Sequence, residues 1–294
     1  MQNTFRFDRF FSLYFVLPII KKRRSKKTGI PILMYHSISE DPERSLPAYY
    51  RLATPRNLFR NHMLWLHEHG YEAIDLPQAL QRIKSRSAGL ERCVVLTFDD
   101  GFQDFFTNAW PVLKEFGQTA TVFLPTGFIA EQPNTLNERR CLTWNEIRYL
   151  QRQGIHFGSH TVSHALLHRA PWEKIRKELR DSRRTLEERL GTTVRSFSYP
   201  YAFPQEDRHF ISRLRRELID LGYRISVTTV IGRAGGQCDP LGLKRLPINS
   251  GDDLRLFKAK LRGAYDWMGV AQAVVRGVKK IMRQAQSGPK KEPR

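Results

Sequence analysis

Cys93-Val94-Val95-Leu96-Thr97-Phe98-Asp99-Asp100-Gly101 decides both the fold and the chemistry of this chain. The run Cys93 to Phe98 has the length and composition of a strand buried on both faces in a parallel sheet, and Gly101 marks the turn beyond it. Placed mid-strand, Asp99 and Asp100 would point to opposite faces, and one carboxylate would be buried without compensation. At the C-terminal exit of a barrel strand, where enzymes of that architecture keep their chemistry, both can turn toward one cavity. An Asx turn closing the strand is the plainer reading. It accounts for one Asp and for Gly101 and leaves the other Asp unexplained.

Farther along, His160-Thr161-Val162-Ser163-His164 follows a second strand-like run, Ile155 to Ser159. The spacing puts the two imidazoles one helical turn apart on a single face if the chain coils after Ser159. Neutral imidazoles suit zinc and other divalent transition metals, and a carboxylate completes a set that leaves positions open for water and substrate. Either histidine alone would read as a satisfied polar residue. The pair, coupled to the double Asp, reverses that judgement. His62, His67 and His69 sit in the patterned helical stretch Leu58 to Gly70, while His156, His168 and His209 lack partners at ligand spacing. All six read as structural.

On these motifs the sequence resembles the polysaccharide deacetylase family, carbohydrate esterase family 4, over roughly residues 29–250. The resemblance implies that Asp99 is the catalytic base and that Asp100, His160 and His164 hold a divalent metal, Zn2+ before others. Ser198-Tyr199-Pro200-Tyr201-Ala202 matches the family's third motif, which gives the Tyr201 backbone N–H a place in the oxyanion hole. Many members carry a base-orienting Arg where this chain has Ser198, and Gly where it has Ala202. Arg245, in the strand-like segment Leu243 to Ile248, is the candidate for the vacant role or for a substrate contact; a solvated loop cation is the competing reading. No histidine follows His209, so the usual C-terminal general acid is missing. Ile30 to Ile38 delivers Tyr35-His36 at a strand exit and resembles the opening strand of the circularly permuted branch, which includes exopolysaccharide deacetylases. His36 then takes the acid role, against the alternative of a strand-end histidine bonded to a loop. Trp144 and Tyr201 are candidates to stack on a sugar ring, with core packing the alternative for both.

The fold implied is α/β, a distorted, incomplete (β/α)7 barrel in a single catalytic domain. Strand candidates at 30–36, 93–98, 119–125, 155–159, 195–200, 224–230 and 243–248 alternate with helical candidates at 55–69, 107–116, 144–153 and 172–190, and 294 residues suffice for one large core. The activity implied is metal-dependent hydrolysis of an N-acetyl or other acyl amide on an amino sugar of a polysaccharide, an oligosaccharide or a lipid-linked precursor.

The ends stand apart. Residues 1–30 hold eight Lys/Arg and one acid, and residues 252–294 hold eleven and four, so the ends supply +14 of the net +20. This divides the chain into a membrane-proximal segment (1–28), the barrel (29–250) and a C-terminal basic extension (251–294). Phe10 to Ile20 is apolar and runs straight into Lys21-Lys22-Arg23-Arg24-Ser25-Lys26-Lys27. Eleven residues fall short of the about 20 that a spanning helix needs. A secretory signal would put its charge first and small residues after the apolar run. An interfacial anchor on anionic lipid, with the basic cluster on the cytoplasmic side, accounts for the pattern, with a disordered basic tail as the alternative. Tyr265 to Gln286 reads as an amphipathic basic helix that packs on the barrel or lies on a membrane, and 287–294 as disordered. Three cysteines without pairing or metal spacing point to a reducing compartment. The expected location is the cytoplasm, peripheral to the inner membrane, with the periplasm as the alternative, and the expected substrate is a glycan or glycolipid. Nucleic acid is disfavoured, because the positive charge flanks an apolar segment instead of interleaving with stacking aromatics. An inactive scaffold of polysaccharide assembly is the third class, opposed by the intact metal and base positions.

Overall fold

A computed structural model describes residues 6–22, 29–40, 43, 46, 50–85 and 89–286. Seven strands form its centre: β1 (Ile32–Tyr35), β2 (Cys93–Phe98), β3 (Thr121–Leu124), β4 (His156–Ser159), β5 (Ser196–Ser198), β6 (Ile225–Ile231) and β7 (Leu243–Pro247). Each is parallel to its neighbours, and the ring closes because β1 pairs with β2 on one side and β7 on the other. All six residues of β2 are buried, as an unbroken apolar run in a parallel sheet requires. The seam between β4 and β5 rests on one register pair, Ser159 with Phe197, and the register of β6 on β7 shifts between Val227 and Ile231. The architecture is therefore a distorted (β/α)7 barrel.

The candidate at 30–36 is interrupted at Pro31, which has no N–H to give. Gly29–Ile30 pairs instead with Ala234–Gly235, and β1 starts afterwards. Helices α1 (Arg56–Glu68), α2 (Leu76–Ser85), α3 (Trp110–Glu115), α4 (Trp144–Arg152), α5 (Trp172–Leu190), α6 (Arg208–Asp220), α7 (Leu254–Leu261) and α8 (Trp267–Gln286) surround the strands. Of these, α2, α6 and α7 were not among the helical candidates. A capping box starts α4: the Thr143 hydroxyl accepts from Glu146 N, and the Glu146 carboxylate accepts from Thr143 N.

The N-terminal apolar run extends into a helical arm, Phe7–Phe11, Ser12–Val16 and Leu17–Lys22, the middle segment a π turn. It is docked, not a disordered tail. Leu13 packs with Ala259 and Ala264, the Trp267 indole N–H donates to Ser12 Oγ at 2.9 Å, and Arg9 pairs with Asp253. No helix among the described residues is long and apolar enough to cross a membrane. The basic cluster Arg23 to Lys27 and the tail 287–294 lie outside the described residues. Helix α8 sits against the barrel with part of its apolar surface facing outward. Val270, Val274, Val278 and Met282 point to solvent, while Met268, Ala271, Gln272 and Arg276 face the barrel.

Candidate active site

The C-terminal ends of the strands open on a cavity of about 790 Å³, into which His36, Asp99, Asp100, His160, His164 and Tyr201 all project. This is the end at which a parallel barrel presents its loops for chemistry. Asp99 follows β2 directly, and its backbone N–H donates to the Tyr35 carbonyl at 3.0 Å. Asp100 then adopts φ +71°, a left-handed conformation that Asp tolerates better than most residues, and this swings the second carboxylate to the same side. Gly101 completes the turn at φ +59°; a Cβ there would lie 2.6 Å from Leu124 Cδ2.

His160 and His164 are not one helical turn apart, because the chain after β4 does not coil. It runs as an irregular loop with Thr161 at φ +68° and His164 at +52°. The imidazoles nevertheless converge, with ring centroids 4.9 Å apart. Glu178 of α5, buried, holds the loop: its carboxylate accepts from Val162 N (2.8 Å), Ser163 N (2.9 Å) and Ser163 Oγ (2.7 Å). The sequence carried one signal for this residue. The buried face of α5 reads Ile175, Glu178, Leu179, Ser182, Leu186, and an acid in that row needs a partner.

Asp100 Oδ1 lies 3.4 Å from His160 Nε2 and 3.2 Å from His164 Nε2. The His160 Nδ1–H donates to the Ser198 carbonyl at 2.7 Å, so a neutral ring turns the lone pair of Nε2 into the site. Asp100 Oδ1 is then buried without a donor, facing imidazole nitrogens on both sides. That is the arrangement of a cation site, and the two-nitrogen, one-oxygen set fits a divalent transition metal.

Asp99 has a different partner. Arg245 on β7 is fully buried, and its guanidinium forks onto both carboxylate oxygens of Asp99, at 2.8 and 2.7 Å. The same guanidinium donates to Thr97 Oγ1, Ser198 Oγ and the Thr228 carbonyl. Ser198 Oγ in turn donates to Asp99 Oδ2 at 3.2 Å. The short side chain of Ser198 leaves room for the guanidinium, which reaches in from β7 on the other side of β6. Burial pushes the Asp99 carboxyl upward, but the Arg245 charge and hydrogen bonds outweigh it, and Asp99 is held below the usual carboxylate range. Arg245 is thus neither a loop cation nor a substrate contact; it sits behind the carboxylate, sealed from the cavity. Trp144 also departs from expectation. It is 2% exposed in the core at the start of α4, with Arg189 over its ring, and it does not line the cavity. Tyr201, half exposed at φ +57°, stands at the mouth with its ring 4.4 Å from that of His164.

His36 follows β1 directly and is half-buried in the cavity wall. Asp104, missed in the sequence reading, fixes the next two residues by accepting from Ser37 Oγ and Ile38 N. Burial pushes the His36 imidazole below its ordinary value, against the pull of Asp100 and Asp99. His62, read as structural, is buried on α1 and stacked on Phe257 at 4.0 Å.

Residues 86–225 match the family described as Polysaccharide deacetylase. The match spans β2 to the first residue of β6; β1 with His36 and β7 with Arg245 lie outside it. YxkH of Bacillus subtilis (strain 168) is 28% identical over 233 residues, 78% of this chain and 75% of the relative. The Poly-beta-1,6-N-acetyl-D-glucosamine N-deacetylase of Staphylococcus aureus (strain MSSA476) is 23% identical over 205 residues, 64% of this chain and 70% of the relative. Among solved structures, the Streptococcus pyogenes deacetylase PplD in complex with acetate superposes with a TM-score of 0.69 at 25% identity, over 80% of this chain and 99% of that one. The matched region supplies the paired carboxylates and both histidines of one cavity, so it is over the catalytic residues 86–225 that the chain matches the polysaccharide deacetylase family.

Proposed function

We propose that the protein is a metal-dependent hydrolase that removes the N-acetyl group from an amino sugar of a glycan or glycan precursor. The observation that supports this most directly is the division of labour between adjacent carboxylates. Asp100 faces two imidazole nitrogens, and Asp99 faces a buried guanidinium that keeps it ionised. A divalent metal held by Asp100, His160 and His164, Zn2+ first among candidates, would supply Lewis-acid polarisation and a lowered pKa for water. Asp99, oriented by Arg245 and unable to swing away, takes the proton of the attacking water. The Tyr201 backbone N–H, presented by its left-handed conformation at the mouth, donates to the developing oxyanion. His36, on the wall formed by the β1 exit, protonates the leaving amine, which departs badly as an anion. The basic ends and unpaired cysteines support a site of action at the cytoplasmic face of an anionic membrane.

Acetate release from β-1,6-linked N-acetylglucosamine oligomers tests the reaction, with elemental analysis alongside. The Zn2+-loaded wild type should release acetate. Asp99→Asn should keep near-stoichiometric metal and lose roughly 100- to 10,000-fold in turnover, because the amide is nearly isosteric but accepts no proton. His164→Ala should lose the metal. Activity of Asp99→Asn within a few-fold of wild type, or equal metal in the wild type and in the Asp100, His160 and His164 alanine variants, would overturn the assignment.

A further inference from the structure

Ten of the fifteen exposed large hydrophobic side chains among the described residues lie on the two ends of the chain. On the arm, Phe7, Phe10, Tyr14, Phe15 and Ile19 recur at helical spacing on the face away from buried Leu13. On α8, Val270, Val274, Val278 and Met282 form one row, each about half exposed or more. A helix face turned to water is ordinarily polar, and contiguous exposed apolar surface marks an interaction site. The two rows belong to one unit, since Phe11 packs edge-on against Trp267 at a centroid distance of 4.8 Å and the Trp267 indole bonds Ser12.

Charge selects the occupant. The ends carry +14 of the net +20, which attracts an anionic lipid surface and repels a second copy of the chain. The other side of α8 belongs to the catalytic cavity. Gly269 lets the helix approach β6 so closely that a Cβ would lie 2.2 Å from the Ile231 carbonyl oxygen. Gln272 accepts from Ile231 N at 3.1 Å and donates to the Thr229 carbonyl at 3.0 Å. Met268 and Ala271 line the cavity, and Val275 lies on the boundary, lining the cavity while 53% exposed.

We infer that the outer faces of the arm and of α8 lie in the interface of an anionic bilayer, so that α8 sets the cavity mouth at the lipid surface and the amino sugar received there is carried on a membrane-anchored lipid. The docking stands by itself; the substrate class rests on the deacetylase reading. The full-length protein should sediment with phosphatidylcholine vesicles containing phosphatidylglycerol, and less with phosphatidylcholine alone. Partitioning should fall at least about tenfold in Val274→Glu/Val278→Glu and in Phe15→Glu/Ile19→Glu, since burying one such side chain is worth about that factor. Hydrolysis of a soluble N-acetylglucosamine oligomer should be unchanged in both. A dodecyl glycoside of N-acetylglucosamine in the anionic vesicles should be preferred over the methyl glycoside by wild type, and the preference should vanish in both variants. Vesicle binding unaltered in the two variants, or a dimer seen by light scattering that the variants abolish while vesicles are ignored, would overturn the docking. Equal rates on the two glycosides would overturn the lipid-carried substrate. Hydrolysis of neither, with docking as expected, would instead refute the deacetylase reading and the substrate class with it.

Discussion

Asp99 and Asp100 are chemically identical and adjacent, and their surroundings alone separate their roles. One carboxylate is saturated by a guanidinium and a hydroxyl; the other keeps an oxygen free of donors between two imidazoles. Removing either environment would make the pair redundant. The residue most exposed to test is His36, which lies outside the family match. As the general acid, His36→Ala should bind metal normally and lose roughly 100- to 10,000-fold in turnover on an amide. An activated ester should suffer far less, because its alcohol departs without a proton. Equal losses on amide and ester would make His36 a structural or substrate-holding residue.

At the scale of elements, strand exits deliver the site and helices brace it. Glu178 reaches from α5 to hold the His160–His164 loop, and Asp104 fixes the residues after His36. On α1, the His62 Nε2–H donates to the Asp252 carbonyl at 3.0 Å and Nδ1 accepts from the Tyr35 hydroxyl at 3.3 Å. Burial depresses His62 from 6.5 to about 4, against the opposing influence of Asp252. The folded value lies below the unfolded one, so between them the unfolded state binds the extra proton. The stability His62 contributes is therefore complete above pH 6.5 and is lost as pH falls toward about 4. For a fully buried ring the loss amounts to about 3 kcal/mol. His62→Gln can keep both hydrogen bonds without titrating, and denaturant titrations between those pH values should show a correspondingly flatter profile. A variant as acid-sensitive as wild type would place the titration elsewhere.

Across the whole molecule, the two ends meet. The arm covers α7 and the start of α8, Arg6 donates to the Gly251 carbonyl, and the Tyr265 hydroxyl donates to Asp8 at 2.7 Å. Beneath them Lys260 and Asp252 form a buried ion pair at 2.7 Å. The arm is thus part of the packed structure as well as a carrier of exposed apolar surface. Deleting residues 1–22 uncovers the Leu13 site and removes the Phe11 contact with Trp267, worth about 2–3 kcal/mol. For a chain of this size that should lower Tm by roughly 3–5 °C in a thermal melt. An unchanged Tm would show that the arm is not packed in solution.

The sequence by itself determined the strands, because unbroken apolar runs of strand length have few alternatives: 93–98 is the extent of β2, and the other six candidates overlap β1 and β3 to β7. It also determined which residue types gather, since two carboxylates and two histidines at strand exits have little other use. Only the tertiary structure decided what lies between distant segments. Arg245 reads the same in sequence whether solvated or sealed, and only closure of β7 onto β1 and β6 carries it behind Asp99, 146 positions away. Trp144 reads equally as core or platform, and the capping box that starts α4 turns it inward. The outward face of α8 was legible as apolar but not as outward, because its direction is set by Gly269 and Gln272 against the end of β6, a contact with no local signature.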